Sequence, residues 1–211
     1  MWSVMMEVID INPTGIYKDT INFKSSSLLD IFLNNLSTSV VGLSEKMNVL
    51  DLPVFEDLKI QIQKHLKWYE DNICGFNDEM FLEITDSWYR ETFPSNNHPV
   101  HNHPNSLLSG VVYLNIPENS GNHAGINFET KHHMFKGFHF EYHSEKPNKY
   151  NARTTYVPVK TGDIILFPSW IDHYVTPNES ETDSRKIISF NTFLKGKISL
   201  NTLYPTTIHL R

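Results

Sequence analysis

A single cysteine, Cys74, stands among 211 residues, so no internal disulfide can staple this chain. With no general base nearby in the sequence, Cys74 reads as a buried small hydrophobe rather than a nucleophile. No apolar run approaches the ~20 residues that span a bilayer. The opening MWSVMMEVIDINPTG lacks a basic start and sets Glu7 and Asp10 among its apolar residues, so no signal peptide is expected. Together these absences predict a soluble, cytoplasmic protein with no membrane partner. Positive charge is in deficit as well, with 18 Lys and Arg against 24 Asp and Glu for a net charge of -6. That balance argues against nucleic acid as a partner, while leaving room for a local basic pocket that takes a small anion. Repeats and low-complexity tracts are missing too. What is present, 39% hydrophobic and 20% charged residues, describes a globular chain able to bury an ordinary core, by default as one domain. Composition leaves a homodimer open.

Residues 3–9 suit an opening strand, ended by Asn12-Pro13 and Gly15. SSLLDIFLNNLS, from Ser26, has helical periodicity behind a serine cap. The clearest helix spans 54–73, where Phe55, Leu58, Ile62, Leu66, Tyr69 and Ile73 form an apolar stripe and His65 reads as a surface or boundary residue. After Gly75 the texture becomes β-rich: 80–93, 107–116, 126–129, 154–159, 163–167, 172–176 and 186–194 read as strands between Pro, Asn, Gly and Ser clusters. Helices followed by short strands predict a sandwich or barrel with a helical layer outside. Residues 131–152 have weak periodicity. They suit either a mobile lid over the mouth of the barrel or an extra aromatic hairpin.

Eleven histidines is a high count. His101 and His103 stand one residue apart before an apolar run, and His173 follows a second such run. Alternation along extended chain puts the first two on one face, and a sheet that folds back can bring the third beside them. Three nitrogen ligands hold a mid-to-late first-row metal and leave positions open for chemistry. His98 reads as an exposed turn residue between Asn97 and Pro99, the alternative being a partner that orients a ligand. His132, His133, His139 and His143 read as solvated loop residues. Trp88, Phe167 and Trp170 read as walls, and Gly162-Asp163 as a turn before a strand. At the head of KIISFN, alternation aims Arg185, Ile187, Ser189 and Asn191 to one face.

On these motifs the chain resembles the Fe(II)- and 2-oxoglutarate-dependent oxygenase superfamily. The resemblance rests on H-x-H-P-x-S-x-L-S-G-V-x-Y-L from His101 to Leu114, on GDIILFPSWIDHYVTP from Gly162 to Pro177, and on Arg185. It is greatest to the 2OG-Fe(II) oxygenase branch that itself carries H-x-H, and more distant to prolyl-hydroxylase-like members. It covers about residues 80–194. The implied fold is mainly β with flanking helices, a double-stranded β-helix (jelly roll) with N-terminal helices packed on the outer sheet. The implied organisation is a single domain over 1–211, with helical support over about 1–76, a core over 77–195 and a C-terminal extension over 196–211.

The implied activity is that of a dioxygenase using Fe(II), 2-oxoglutarate and O2, releasing succinate and CO2 and hydroxylating a small molecule or peptide side chain. Carried over, His101 matches the first metal ligand and His173 the distal one. His103 falls where most members have a carboxylate. Either the site uses three imidazoles, the reading favoured here, or a carboxylate such as Glu129 enters; Asp172 would point away from His173. Arg185 matches the cation for the co-substrate's far carboxylate, for which a guanidinium offers a two-pronged grip. Tyr113 and Ser189 are its expected companions. Two rival readings are a three-histidine zinc hydrolase or hydratase, and a non-catalytic metal-binding jelly roll.

Overall fold

The computed structural model describes residues 10, 13–23, 43–44, 47–118, 124–129, 148–199 and 207–210. Expected elements over 3–9 and 26–37, and most of the 131–152 segment, lie outside that set. Two 3₁₀ turns, Val49–Asp51 and Pro53–Phe55, lead into helix α1, Glu56–Tyr69, which ends in a π-helical turn, Glu70–Cys74. Gly75 closes it at φ 64, a left-handed conformation that glycine adopts without strain.

The strands are β1 (Tyr17–Thr20), β2 (Met80–Thr92), β3 (His98–His101), β4 (Leu108–Asn115), β5 (Ile126–Glu129), β6 (Thr154–Val157), β7 (Asp163–Pro168), β8 (His173–Val175), β9 (Arg185–Ser199) and β10 (Thr207–Leu210). They form two antiparallel sheets that face one another as a jelly roll. In the larger, the order is β1-β7-β4-β9-β10, with β2 on the other edge of β9; the smaller runs β3-β8-β5-β6.

Alternation divides the larger sheet's side chains between two cores. On its outer face Leu108, Val112 and Leu114 of β4, Ile164 and Leu166 of β7, and Ile188 and Phe190 of β9 pack with Leu58, Ile62, Leu66 and Tyr69 of α1. On its inner face Val111, Tyr113, Ile165, Phe167 and Ile187 meet Ile126 and Phe128 of β5. Burial on both faces explains why β4 and β7 read as nearly continuous apolar runs. Gly110 is required here: a Cβ on it would lie 2.1 Å from Cζ of Phe190, its register partner on β9.

Several expectations need correction. Cys74 is exposed rather than buried, because the π turn carries it off the α1 stripe. Ile73, assigned to that stripe, is half-exposed for the same reason. The segment read as helical support also supplies β1 to the larger sheet. The segment read as an extension supplies β10, antiparallel to β9. Trp170, expected as a wall, is 58% exposed, since it sits at the turn between β7 and β8.

Candidate metal centre

Strand pairing brings the first two candidate ligands together. His101 ends β3 and is the register partner of His173, which opens β8. His103 comes from beyond the strand. The chain leaves the ladder after His101, and the His103 backbone N–H donates to the Ser169 carbonyl at 2.9 Å. Continuous extended alternation, expected for the pair, is thus broken, yet both rings face the same spot. One ligand atom from each of His101, His103 and His173 lies within 4.8 Å of the others, and no described carboxylate joins that cluster. Asp172 accepts instead from Nδ2 of Asn102 at 2.7 Å, on the exposed side of the turn.

Hydrogen bonding fixes the tautomers. His173 Nδ1 lies 3.0 Å from the Ile171 carbonyl, and His101 Nδ1 lies 2.8 Å from that of Pro99. His103 Nδ1 lies 2.7 Å from Oδ1 of Asn191. Each acceptor requires an N–H, so each Nε2 keeps its lone pair. His103 Nε2 and His173 Nε2 then face each other at 3.3 Å with no hydrogen between them. Two lone pairs so placed repel unless a cation stands between them. Nitrogens each about 2.0–2.1 Å from one metal are themselves about 3.0–3.4 Å apart, the range of this pair. The donor set therefore fits a metal ion. Burial holds all three imidazoles below their ordinary pKa, down to about 3 for His173, so they are neutral and ready to ligate near pH 7.

Sequence patterns alone assign no role to the residues that orient His103. Ser109 Oγ donates to Asn191 Oδ1 at 2.9 Å and lies 2.8 Å from Ser169 Oγ; Ser169 Oγ lies 2.7 Å from Ser106 Oγ. This run of hydroxyls pins the amide whose oxygen fixes the imidazole. The signal was in plain view: Ser106 and Ser109 belong to the H-x-H-P-x-S-x-L-S run, and Ser169 to F-P-S. Trp88 stacks on His103 with centroids 5.7 Å apart, and Phe167 meets His173 edge-on at 4.7 Å.

Two further groups were missed or misread. His98, expected as an exposed turn residue, is half-buried in β3, its ring centroid 3.9 Å from that of His101. Arg90, on β2, lines the same recess as the three histidines.

Arg185, Tyr113 and Ser189 line that recess too. Arg185 is 2% exposed, and its Nε and Nη2 have no hydrogen-bond partner among the described residues. A buried guanidinium with unmet donors is costly unless an anion meets it. Burial lowers its pKa, opposed by the neighbouring Tyr113, without removing its charge at neutral pH. The arrangement can therefore hold a metal on one side and a small anion on the other.

Comparison with known proteins follows the same line. A family model described as "Putative 2OG-Fe(II) oxygenase" matches residues 86–191. No curated protein matches. Among solved structures, HygX from Streptomyces hygroscopicus, with nickel, 2-oxoglutarate and hygromycin B bound, is similar at TM-score 0.57 and 14% identity, over 85% of this chain and 82% of that one. A prolyl-4-hydroxylase from Pseudomonas putida is similar at TM-score 0.51 and 10% identity, over 84% of each chain. An oxidoreductase of the 2OG-Fe(II) oxygenase family from Burkholderia pseudomallei is similar at TM-score 0.51 and 12% identity, over 79% of this chain and 76% of that one. At such identities the likeness is one of fold.

Proposed function

The chain belongs to the 2OG-Fe(II) oxygenase family, and from that premise we propose that it is a dioxygenase that hydroxylates its substrate while converting 2-oxoglutarate and O2 to succinate and CO2. Nε2 of His101, His103 and His173 would hold the iron, and Arg185 the far carboxylate of 2-oxoglutarate, with Tyr113 and Ser189 beside it. When bound, the iron supplies O2 activation and attack on a C–H bond. The protein's own part is to position and to shield. Asn191, Ile171 and Pro99 hold three rings in the lone-pair-inward tautomer, and Arg185 clamps one end of the co-substrate. Val111, Ile126 and Ile187 make the apolar part of the recess wall.

The observation that carries this reading is the pairing of the two halves. Neutral nitrogen donors converge on one side of the recess, and a buried guanidinium with unmet donors lies in the same wall. A zinc hydrolase or hydratase would need the first half only. The chain reads as one domain over residues 1–211, at work in the cytoplasm on a small molecule or a peptide side chain. Among the described residues no helix is long and apolar enough to cross a membrane.

The test is turnover without the primary substrate. Purified protein with Fe(II), 2-oxoglutarate and O2 should release succinate slowly, and His173→Ala should not. Zinc retained through purification, with no affinity for 2-oxoglutarate, would favour the hydrolase instead.

A further inference from the structure

Arg90 is a second cation in the recess, and nothing in the proposed handling of 2-oxoglutarate uses it. Along β2, Trp88 is the register partner of Ser189, Arg90 of Ile187, and Thr92 of Arg185. These side chains share the sheet face that looks into the recess. Arg90 Nε is buried with no hydrogen-bond partner among the described residues. Among the described residues its Nη1 reaches only Nε2 of His98, at 3.4 Å. An imidazole is neutral or cationic, so it can accept a hydrogen bond but cannot serve as a counter-ion. Neither Arg90 nor Arg185 forms an ion pair among the described residues.

Charge balance then points to a ligand. A facial triad that includes a carboxylate neutralises part of its iron's charge; three imidazoles neutralise none. A metal dication and two guanidinium groups, set against one dianionic co-substrate, leave excess positive charge in a largely buried space. Such an excess is costly unless an anion offsets it. The two arginines also serve different parts of the wall. Diagonal positions on adjacent strands stand about 7–8 Å apart. Arg185 lies beside Tyr113, whereas Arg90 points to His98, whose ring centroid is 3.9 Å from that of His101.

We propose that the primary substrate carries an oxyanion, a carboxylate or a phosphate, and that Arg90 binds it beside the metal centre. This rests on the oxygenase reading, because it leaves Arg185 to 2-oxoglutarate. The guanidinium fork grips such a group through two parallel hydrogen bonds. His98 acts as a positioning residue that holds the fork in place.

The experiment uses the full chain loaded with Mn(II) and the inert co-substrate analogue N-oxalylglycine. Calorimetric titration with inorganic phosphate and, separately, with acetate asks whether a second anion binds, and which kind. The wild-type protein should bind one of them. Arg90→Met should weaken that binding roughly tenfold or more and leave N-oxalylglycine within about threefold, with Arg90→Lys in between. Arg185→Met should do the reverse. Unchanged thermal unfolding and near-ultraviolet circular dichroism identify folded variants, and Arg90→Lys carries the test should Arg90→Met misfold. Two results overturn the proposal: neither anion binds with N-oxalylglycine in place, or Arg90→Met weakens N-oxalylglycine as strongly as Arg185→Met does. Phosphate or acetate binding through Arg90 with no affinity for N-oxalylglycine would keep the anion site and discard the oxygenase reading.

Discussion

Replacing Asn191 with leucine should loosen the metal although Asn191 never touches it. Its Oδ1 accepts from Nδ1 of His103 at 2.7 Å and from Oγ of Ser109 at 2.9 Å, at a strand position where leucine keeps the volume. Without that acceptor, neutral His103 has two poor choices. It can leave a buried Nδ1–H unsatisfied, or move the proton to Nε2 and lose the lone pair the metal needs. Loss of a partner of this kind lowers metal affinity about 10–100-fold, or roughly 1.4–2.8 kcal/mol. Asn191→Asp keeps an acceptor and adds an anion behind the ring, so its affinity should equal or exceed that of the wild type. Ser109→Ala touches only the amide and should cost less than Asn191→Leu. Competition for Co(II) or Zn(II) against a chromophoric chelator at neutral pH measures all three, on variants whose thermal unfolding matches wild type. Wild-type affinity in a well-folded Asn191→Leu protein would refute the tautomer argument.

Arg185→Ala should weaken N-oxalylglycine by roughly a hundredfold or more, the equivalent of about 3–5 kcal/mol for a buried anion left without its partner; calorimetry reads it, and Arg185→Lys should recover part. Without ligand, Arg185→Met should unfold no earlier than wild type on heating, because it removes a guanidinium whose Nε and Nη2 have no partner among the described residues. Burial lowers the pKa of His98 and His173 from 6.5 to about 3, so between those values the unfolded chain binds more protons. Denaturant titrations of the metal-free protein should then show stability falling as pH drops from 6.5 toward 3, with a plateau above 6.5 from these two groups. Gly110→Ala should destabilise strongly or prevent folding, as its Cβ would meet the Phe190 ring at 2.1 Å; a thermal melt within a few degrees of wild type would contradict that packing.

The fold was legible where alternation and apolar runs were strong. β2, β4, β5, β6, β7 and β8 lie where β-rich segments were read, β9 runs past its expected end at 194 to Ser199, and α1 lies within its predicted stripe. β3 was missed because His98–His101 is four residues long with a proline at its second position, a poor strand signal by composition. β1 and β10 are as short, and are strands because the edges of β7 and β9 offer them partners, a tertiary cause invisible to local pattern. His101, His103 and His173 stand out by their spacing, and Arg185 by its match to the family's arginine position at the head of KIISFN. Asn191 and the serines did not, because single Ser and Asn residues among strands and turns ordinarily need no further explanation. Arg90 was hidden for a related reason: only pairing of β2 with β9 reveals that it faces inward.

That pairing has a consequence for the length of the co-substrate. One strand, β9, carries the guanidinium at its head and, further along, the amide behind His103, and it is gripped by β2 on one edge and β4 on the other. The distance from Arg185 to the amide that orients His103 is therefore set by strand rise, ~3.3 Å per residue. β9 works as a ruler. If Arg185 takes the far carboxylate as proposed, a 2-oxo diacid one methylene shorter or longer than 2-oxoglutarate should bind more weakly, which competition against N-oxalylglycine would measure.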